Sequence, residues 1–221
     1  MYKRSAYIWE LPVRIYHWLN VALIPILMLT GLYIGKPPFT LSGEAYSIFL
    51  MGKMRIWHAW AAWIFIANFI VRFYWAFVGN KYAWFFPWGK GFLDDLWETV
   101  KYYLFLKKEH TIHVGHNALA MMSYFLFMWI GSVLIILTGL ALQAEIHPGN
   151  LQDRLAGWLI PLLGQSFAVR SYHHLIAWFF VVFSIIHIYM AVRQDLLDDD
   201  GTVSSMINGH KFLLAEGEEH E

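Results

Sequence analysis

RIYHWLNVALIPILMLTGLYIG, residues 14–35, opens on a cation and then runs from Ile15 to Gly35 without an Asp, Glu, Lys or Arg. A helix needs about 20 mostly apolar residues to cross the hydrocarbon of a bilayer. The run meets that length from Tyr16 to Gly35. It is too long for the apolar core of a cleavable signal, and no Ala-x-Ala-type cleavage site follows it. Three more runs share its character: residues 56–78, interrupted only by Arg72, residues 117–142, and residues 171–192. All four are too long and too uniformly apolar for barrel strands. Helices are then the only way to satisfy their backbone in lipid.

The composition agrees. Of 221 residues, 58% are hydrophobic and 14% charged, against roughly 25% charged in soluble domains. The net charge is zero, so nothing points to a nucleic-acid partner. There is no cysteine. That excludes disulfides, thiolate-held iron–sulfur clusters, thioether-linked haem and cysteine catalysis. Eleven histidines remain, so a metal or haem here must be held by His, Met or carboxylate.

Two other segments read differently. LDDLWETVKYYLFLKK (93–108) places Leu93, Leu96, Trp97, Val100, Tyr103 and Leu104 on one face at helical spacing, opposite a charged face. This predicts an amphipathic helix lying in the membrane interface. Residues 155–169 are uncharged but short and contain Pro161, which predicts an interfacial or re-entrant piece rather than a fifth span. With the N-terminus in the cytoplasm, Lys36, Lys53, Arg55, Arg154 and Arg170 lie outside and the other eleven of the sixteen Lys and Arg lie inside. The bias places both termini in the cytoplasm. The expected fold is an all-α membrane protein: a bundle of four transmembrane helices plus an interfacial helix, one domain over residues 1–221.

RIYHWL (14–19), RIWHAW (55–60) and RSYHHL (170–175) repeat one pattern, Arg-x-aromatic-His, at the start of three of these segments. His17 lies one turn into the first helix, near the inner face. The chain then crosses, so His58 lies near the outer face. The fourth helix starts outside, so His173 shares the depth of His58, and His187 returns to the inner level. His173 and His187 are fourteen residues apart, a rise of about 21 Å and a return to within about 40° of the same face. One helix thus offers a histidine to each of two levels, with partners on the first and second helices. Zinc wants three or four ligands around a tetrahedron. Two facing imidazoles at each level suit the axial positions of haem b, two haems in all. With both axial positions filled, the chemistry is electron transfer rather than O₂ binding.

Arg14, Arg55 and Arg170 each precede a histidine by three residues, on the same face and one turn nearer water. They are suited to pair with haem propionates. Each also reads as an ordinary interfacial anchor. Arg72, fourteen after His58, returns to that face at the inner level, where a charge should have a partner. Gly31, fourteen after His17, would leave room for the outer ring. His174 lies about 100° around the helix from His173 and reads as an interface residue. In GHN (115–117), Asn117 reads as a helix cap; His116 and Asn117 are also candidates to hydrogen-bond a quinone and help move protons.

The stretches PVRIYHWLNV, TGLYIGKP, RFYWAFVGNKY, YLFL, GHN and HIYMAVRQDLLDDDGTVSSMINGHK together resemble the b-type cytochrome subunit of membrane-bound respiratory [NiFe] hydrogenases. The chain resembles, more distantly, the cytochrome b subunit of formate dehydrogenases. The resemblance covers nearly the whole chain. It implies a bacterial inner-membrane protein partnered by hydrogenase large and small subunits that oxidise H₂ on the periplasmic side. Electrons would enter from the small subunit's iron–sulfur relay, cross two haems and reduce quinone. By the same resemblance, His17 pairs with His187 and His58 with His173. A formate dehydrogenase-type subunit and a stand-alone transmembrane haem b reductase are the competing readings. Whether copies assemble into a higher oligomer is open.

Overall fold

The computed structural model describes the chain apart from residues 1–2, 40–47, 85, 88, 90, 108–114, 116, 199 and 215–221. In chain order, strand β1 (Lys3–Tyr7) leads into helices α1 (Leu11–Gly35) and α2 (Leu50–Val78), then α3 (Phe92–Tyr103) and α4 (Ala118–Ala144). A short α5 (Leu159–Leu162) precedes α6 (Ser166–Asp198), α7 (Thr202–Asn208) and strand β2 (His210–Leu214). Four of these helices, α1, α2, α4 and α6, are long and apolar enough to cross a membrane.

Each long helix outruns the apolar stretch that announced it at one end or both. Hydropathy marks only the residues that suit hydrocarbon, while the helix continues through polar turns such as those at Arg55 and Arg170. Pro12 sits in the first turn of α1, where its missing N–H is no loss. Asn117 caps α4, its side-chain oxygen accepting from the Ala120 amide at 2.8 Å. From Tyr124 to Ile130, α4 widens into a π-helix, a distortion often found at functional positions. The outward surfaces are apolar, with Leu29 70% and Trp60 66% exposed, as suits helices whose solvent is lipid.

The bundle core is formed by Leu23, Phe65, Phe69, Met128, Trp129 and Phe180. Polar groups bind α1 to α2. The Asn68 amide nitrogen donates to the Tyr16 carbonyl and to Asn20 Oδ1, each at 3.1 Å. Glu10 Oε2 accepts from Trp75 Nε1 (2.9 Å) and from the Asn80 amide (2.7 Å), fastening the start of α1 to the end of α2.

The segment 155–169 is not a span. A π turn at Asp153–Gly157 and the four-residue α5, which contains Pro161, pack through Ala156 against Leu140, Ala141 and Val169. Helix α3 is shorter than the predicted 93–108. It ends at Tyr103, with Phe105 in the left-handed region at φ 60° and the Leu106 amide bonded back to the Lys101 carbonyl. Leu93, Trp97 and Leu104 on its apolar face stay exposed.

The all-helical expectation needs one amendment. β1 and β2 form a two-stranded antiparallel ribbon, in register from Lys3 opposite Leu214 to Tyr7 opposite His210. Both ends of the described chain therefore lie on one side of the bundle. A clasp grows from the ribbon. Lys211 pairs with Asp200 at 2.6 Å, both nine-tenths buried. The Trp9 indole donates to Ser205 Oγ and the Trp18 indole to the Met206 carbonyl.

Candidate functional site

The structure brings the four histidines into two facing pairs. His17 on α1 and His187 on α6 have ring centres 6.2 Å apart. His58 on α2 and His173 on α6 have ring centres 6.4 Å apart. Two metal–imidazole bonds of about 2 Å and two ring half-widths of about 1.1 Å span about 6.2 Å, so each gap suits one metal held from both sides. Among the described residues no three His, Cys, Asp or Glu side chains converge on a common point. The donor set is two opposed imidazoles per level, which is the set that a haem iron takes.

The supports of the outer pair sharpen that fit. Thr30 Oγ1 lies 2.9 Å from His58 Nδ1, and Thr138 Oγ1 lies 2.9 Å from His173 Nδ1. Each threonine hydroxyl donates its one hydrogen to a carbonyl a turn back, Ile26 at 2.7 Å and Leu134 at 2.8 Å. The hydroxyl oxygen can then accept from Nδ1, and the Leu27 and Ile135 backbone carbonyls, which can only accept, also bond the His58 and His173 imidazoles, so the surroundings favour the hydrogen on Nδ1. Nε2 then keeps its lone pair free for a metal. The glycine after each threonine makes the approach possible. A Cβ on Gly31 would lie 3.2 Å from His58 Cε1, and one on Gly139 3.3 Å from His173 Cε1. The absence of a side chain at Gly31 lets the His58 imidazole approach α1 this closely.

The inner pair is supported differently. His187 Nδ1 lies 3.0 Å from the Tyr124 hydroxyl, and Phe183 stacks on the same imidazole at 5.7 Å with the planes 4° apart. Tyr124 reaches this position from the first residue of the π-helical stretch in α4. His17 Nδ1 is buried and makes no hydrogen bond among the described residues.

The arginines divide by level. Arg55 and Arg170, beside the outer pair, are exposed. Arg14 donates through Nη1 to the Ile207 carbonyl in α7, and its Nε is buried without a partner. Arg72 is buried, donates to the Ala83 carbonyl at 2.9 Å and lies near the Tyr16 and Trp129 rings. His174 lies close enough to both His58 and His173 to act on their charge. It packs on α1, where a Cβ on Gly35 would meet its ring at 2.7 Å. Of the two quinone candidates, Asn117 spends its side-chain oxygen on the cap of α4, and His116 lies outside the described residues.

Sequence reasoning missed Thr30, Thr138, Gly139 and Tyr124. A signal for the first three was present. Leu-Thr-Gly-Leu occurs at 29–32 and again at 137–140, once in each helix that supports an outer histidine. Tyr124 had none, because the π-helical stretch alters the phase of α4 in a way that apolar residues do not announce.

Comparison with known proteins adds the family. Residues 8–209 match the family described as prokaryotic cytochrome b561. A probable Ni/Fe-hydrogenase B-type cytochrome subunit of Cupriavidus necator is 41% identical over 213 residues, covering 94% of this chain and 87% of the relative. The corresponding protein of Azotobacter vinelandii is 40% identical, covering 95% and 89%. A probable Ni/Fe-hydrogenase 1 B-type cytochrome subunit of Escherichia coli is 40% identical, covering 94% and 92%. With the match running nearly end to end and the bundle presenting paired imidazoles, the chain belongs to the prokaryotic cytochrome b561 family.

Proposed function

We propose that the chain is the di-haem b electron-transfer subunit and membrane anchor of a respiratory [NiFe] hydrogenase, joining the partner's iron–sulfur relay to membrane quinone. The observation that carries this reading is the stacking of two facing imidazole pairs on one helix, α6, each gap one iron wide. The names of relatives near 40% identity support the hydrogenase partner. When bound, haem b supplies one-electron transfer at each level. His17 with His187, and His58 with His173, would be its axial ligands. Arg14, Arg55, Arg72 and Arg170 are assigned to its propionates. Thr30 and Thr138 hold the outer imidazoles in the ligating tautomer, and the phenyl ring of Phe183 fixes the plane of His187.

The cation bias of the loops supports an N-terminus and C-terminus in the cytoplasm of a bacterial inner membrane. The outer pair then faces the periplasmic partner and the inner pair the quinone. The Asn117 oxygen caps α4, and among the described residues its amide nitrogen has no hydrogen-bond acceptor, which leaves the amide hydrogens for a ligand. They can donate to a quinone carbonyl, with His116 beside it in sequence.

Purification with the subunits that bind the chain tests the reading. Two haems per chain, with His17→Ala removing one and His58→Ala the other, is the expected result. A haem-free preparation, or a chain that reduces an external acceptor with no iron–sulfur partner, would overturn it.

A further inference from the structure

The two histidine pairs are alike in spacing and unlike in their support. At the outer level both Nδ1 atoms face a threonine oxygen at 2.9 Å whose own hydrogen is spent elsewhere. At the inner level His187 faces a phenol, which can donate or accept, and among the described residues His17 Nδ1 has no hydrogen-bond partner. The outer arrangement is also duplicated in sequence: each Leu-Thr-Gly-Leu puts the threonine under Nδ1 and the glycine under Cε1 of a histidine from the next long helix. α1 serves α2 as α4 serves α6. No such duplication holds at the inner level, where the ligands come from α1 and α6.

We infer that Thr30 and Thr138 are positioning residues that make the outer imidazoles the more basic pair and so set the outer site at a lower reduction potential than the inner one. The inference rests on the haem reading above. An Nδ1–H that donates to an acceptor pushes electron density towards Nε2 and raises its basicity as a ligand. A more basic ligand favours the oxidised iron, and hydrogen bonding around the ligands is a recognised control on haem potential. Two such bonds act at the outer level and at most one at the inner. With both haems bound, an electron delivered to the outer site would pass downhill to the inner one with no further reactant, and its direction would be set by two side chains acting through the histidines they hold.

The test uses the purified complex carrying both haems, with Thr30→Val, Thr138→Val and Thr30→Ser. Loss of one signal in His58→Ala identifies the outer haem. Redox titration should find that haem at the lower potential in the unaltered protein. Each valine should raise it by at least tenfold in the one-electron equilibrium constant, about 59 mV, and leave the inner haem unmoved. The electron paramagnetic resonance signal of the oxidised outer haem should shift as its imidazole loses orientation, and serine should restore both values. Thr30→Ala serves as the second variant should valine disturb assembly. An outer haem that is the higher of the two, or that ignores valine and alanine, defeats the inference while leaving the haem reading in place. A complex with no haem sensitive to His58 defeats the haem reading itself.

Discussion

Replacing Gly31 should remove the outer haem and spare the inner one. A Cβ at Gly31 lies 3.2 Å from His58 Cε1 and 3.6 Å from His58 Nδ1, whereas carbon atoms rest at about 3.5–4.0 Å. The ring must therefore retreat from α1 by a few tenths of an ångström or abandon Thr30, and either way it leaves the place it holds opposite His173. The centres of those two rings are 6.4 Å apart and two metal bonds need about 6.2 Å, leaving slack of about 0.2 Å. Alanine exceeds the slack and leucine exceeds it several times over. Overpacking of this kind costs about 1–3 kcal/mol, which lowers haem retention at that level roughly 5- to 150-fold for alanine; leucine should abolish it. Haem count and reduced-minus-oxidised spectra on the purified variants read the effect directly. Gly139, whose Cβ would lie 3.3 Å from His173 Cε1, should behave in the same way. A Gly31→Leu protein with two haems and unaltered spectra would refute the reasoning.

Three other outcomes follow from local features. Lys211→Met leaves the Asp200 carboxylate nine-tenths buried without its cation; removing one partner of such a pair costs about 3 kcal/mol or more. Limited proteolysis should then attack the clasp faster while the helix content by circular dichroism holds, and unchanged protection would contradict this. Asn117→Ala removes the cap of α4 for about 1 kcal/mol, with faster hydrogen exchange at the Ala120 amide and recovery with serine; equal exchange in the alanine protein would count against the cap. On α3, bonds from Lys101 at 2.7 Å and Lys107 at 2.9 Å lower the exposed Glu98 carboxyl from 4.5 to about 2. A carboxyl lowered on folding adds stability above its ordinary value, and the contribution goes as pH falls through about 2. A carboxyl resonance of Glu98 that titrates at pH 4 or above would disprove the pairing.

The four long helices were legible because lipid demands an uninterrupted apolar run, and such a run needs no knowledge of its neighbours. The pairing of histidines was predictable from helix geometry, since fourteen residues return to nearly the same face. The start of α6 at Ser166 was not, because Arg170 looks like the end of an apolar segment though it lies inside a helix. Thr30 and Thr138 were overlooked because a hydroxyl bonded to its own helix blends into a span. The ribbon was invisible for another reason. Lys3 pairs with Leu214, and a five-residue strand whose only neighbour lies at the far end of the chain leaves no local period to read. Nothing in the local sequence around Asp200 or Lys211 announces that folding buries them together.

The ribbon also constrains how the molecule can be made. Its first strand precedes the four long helices in the chain and its second follows them, so the zip closes only once all four have been made. It closes, too, only when the chain has threaded the bilayer an even number of times. A molecule that skipped one crossing would strand its two ends on opposite leaflets, with Trp9 and Ser205 a membrane apart. Formation of the ribbon is therefore a parity check on insertion, made with the ten residues of two short strands that lie outside the four long helices.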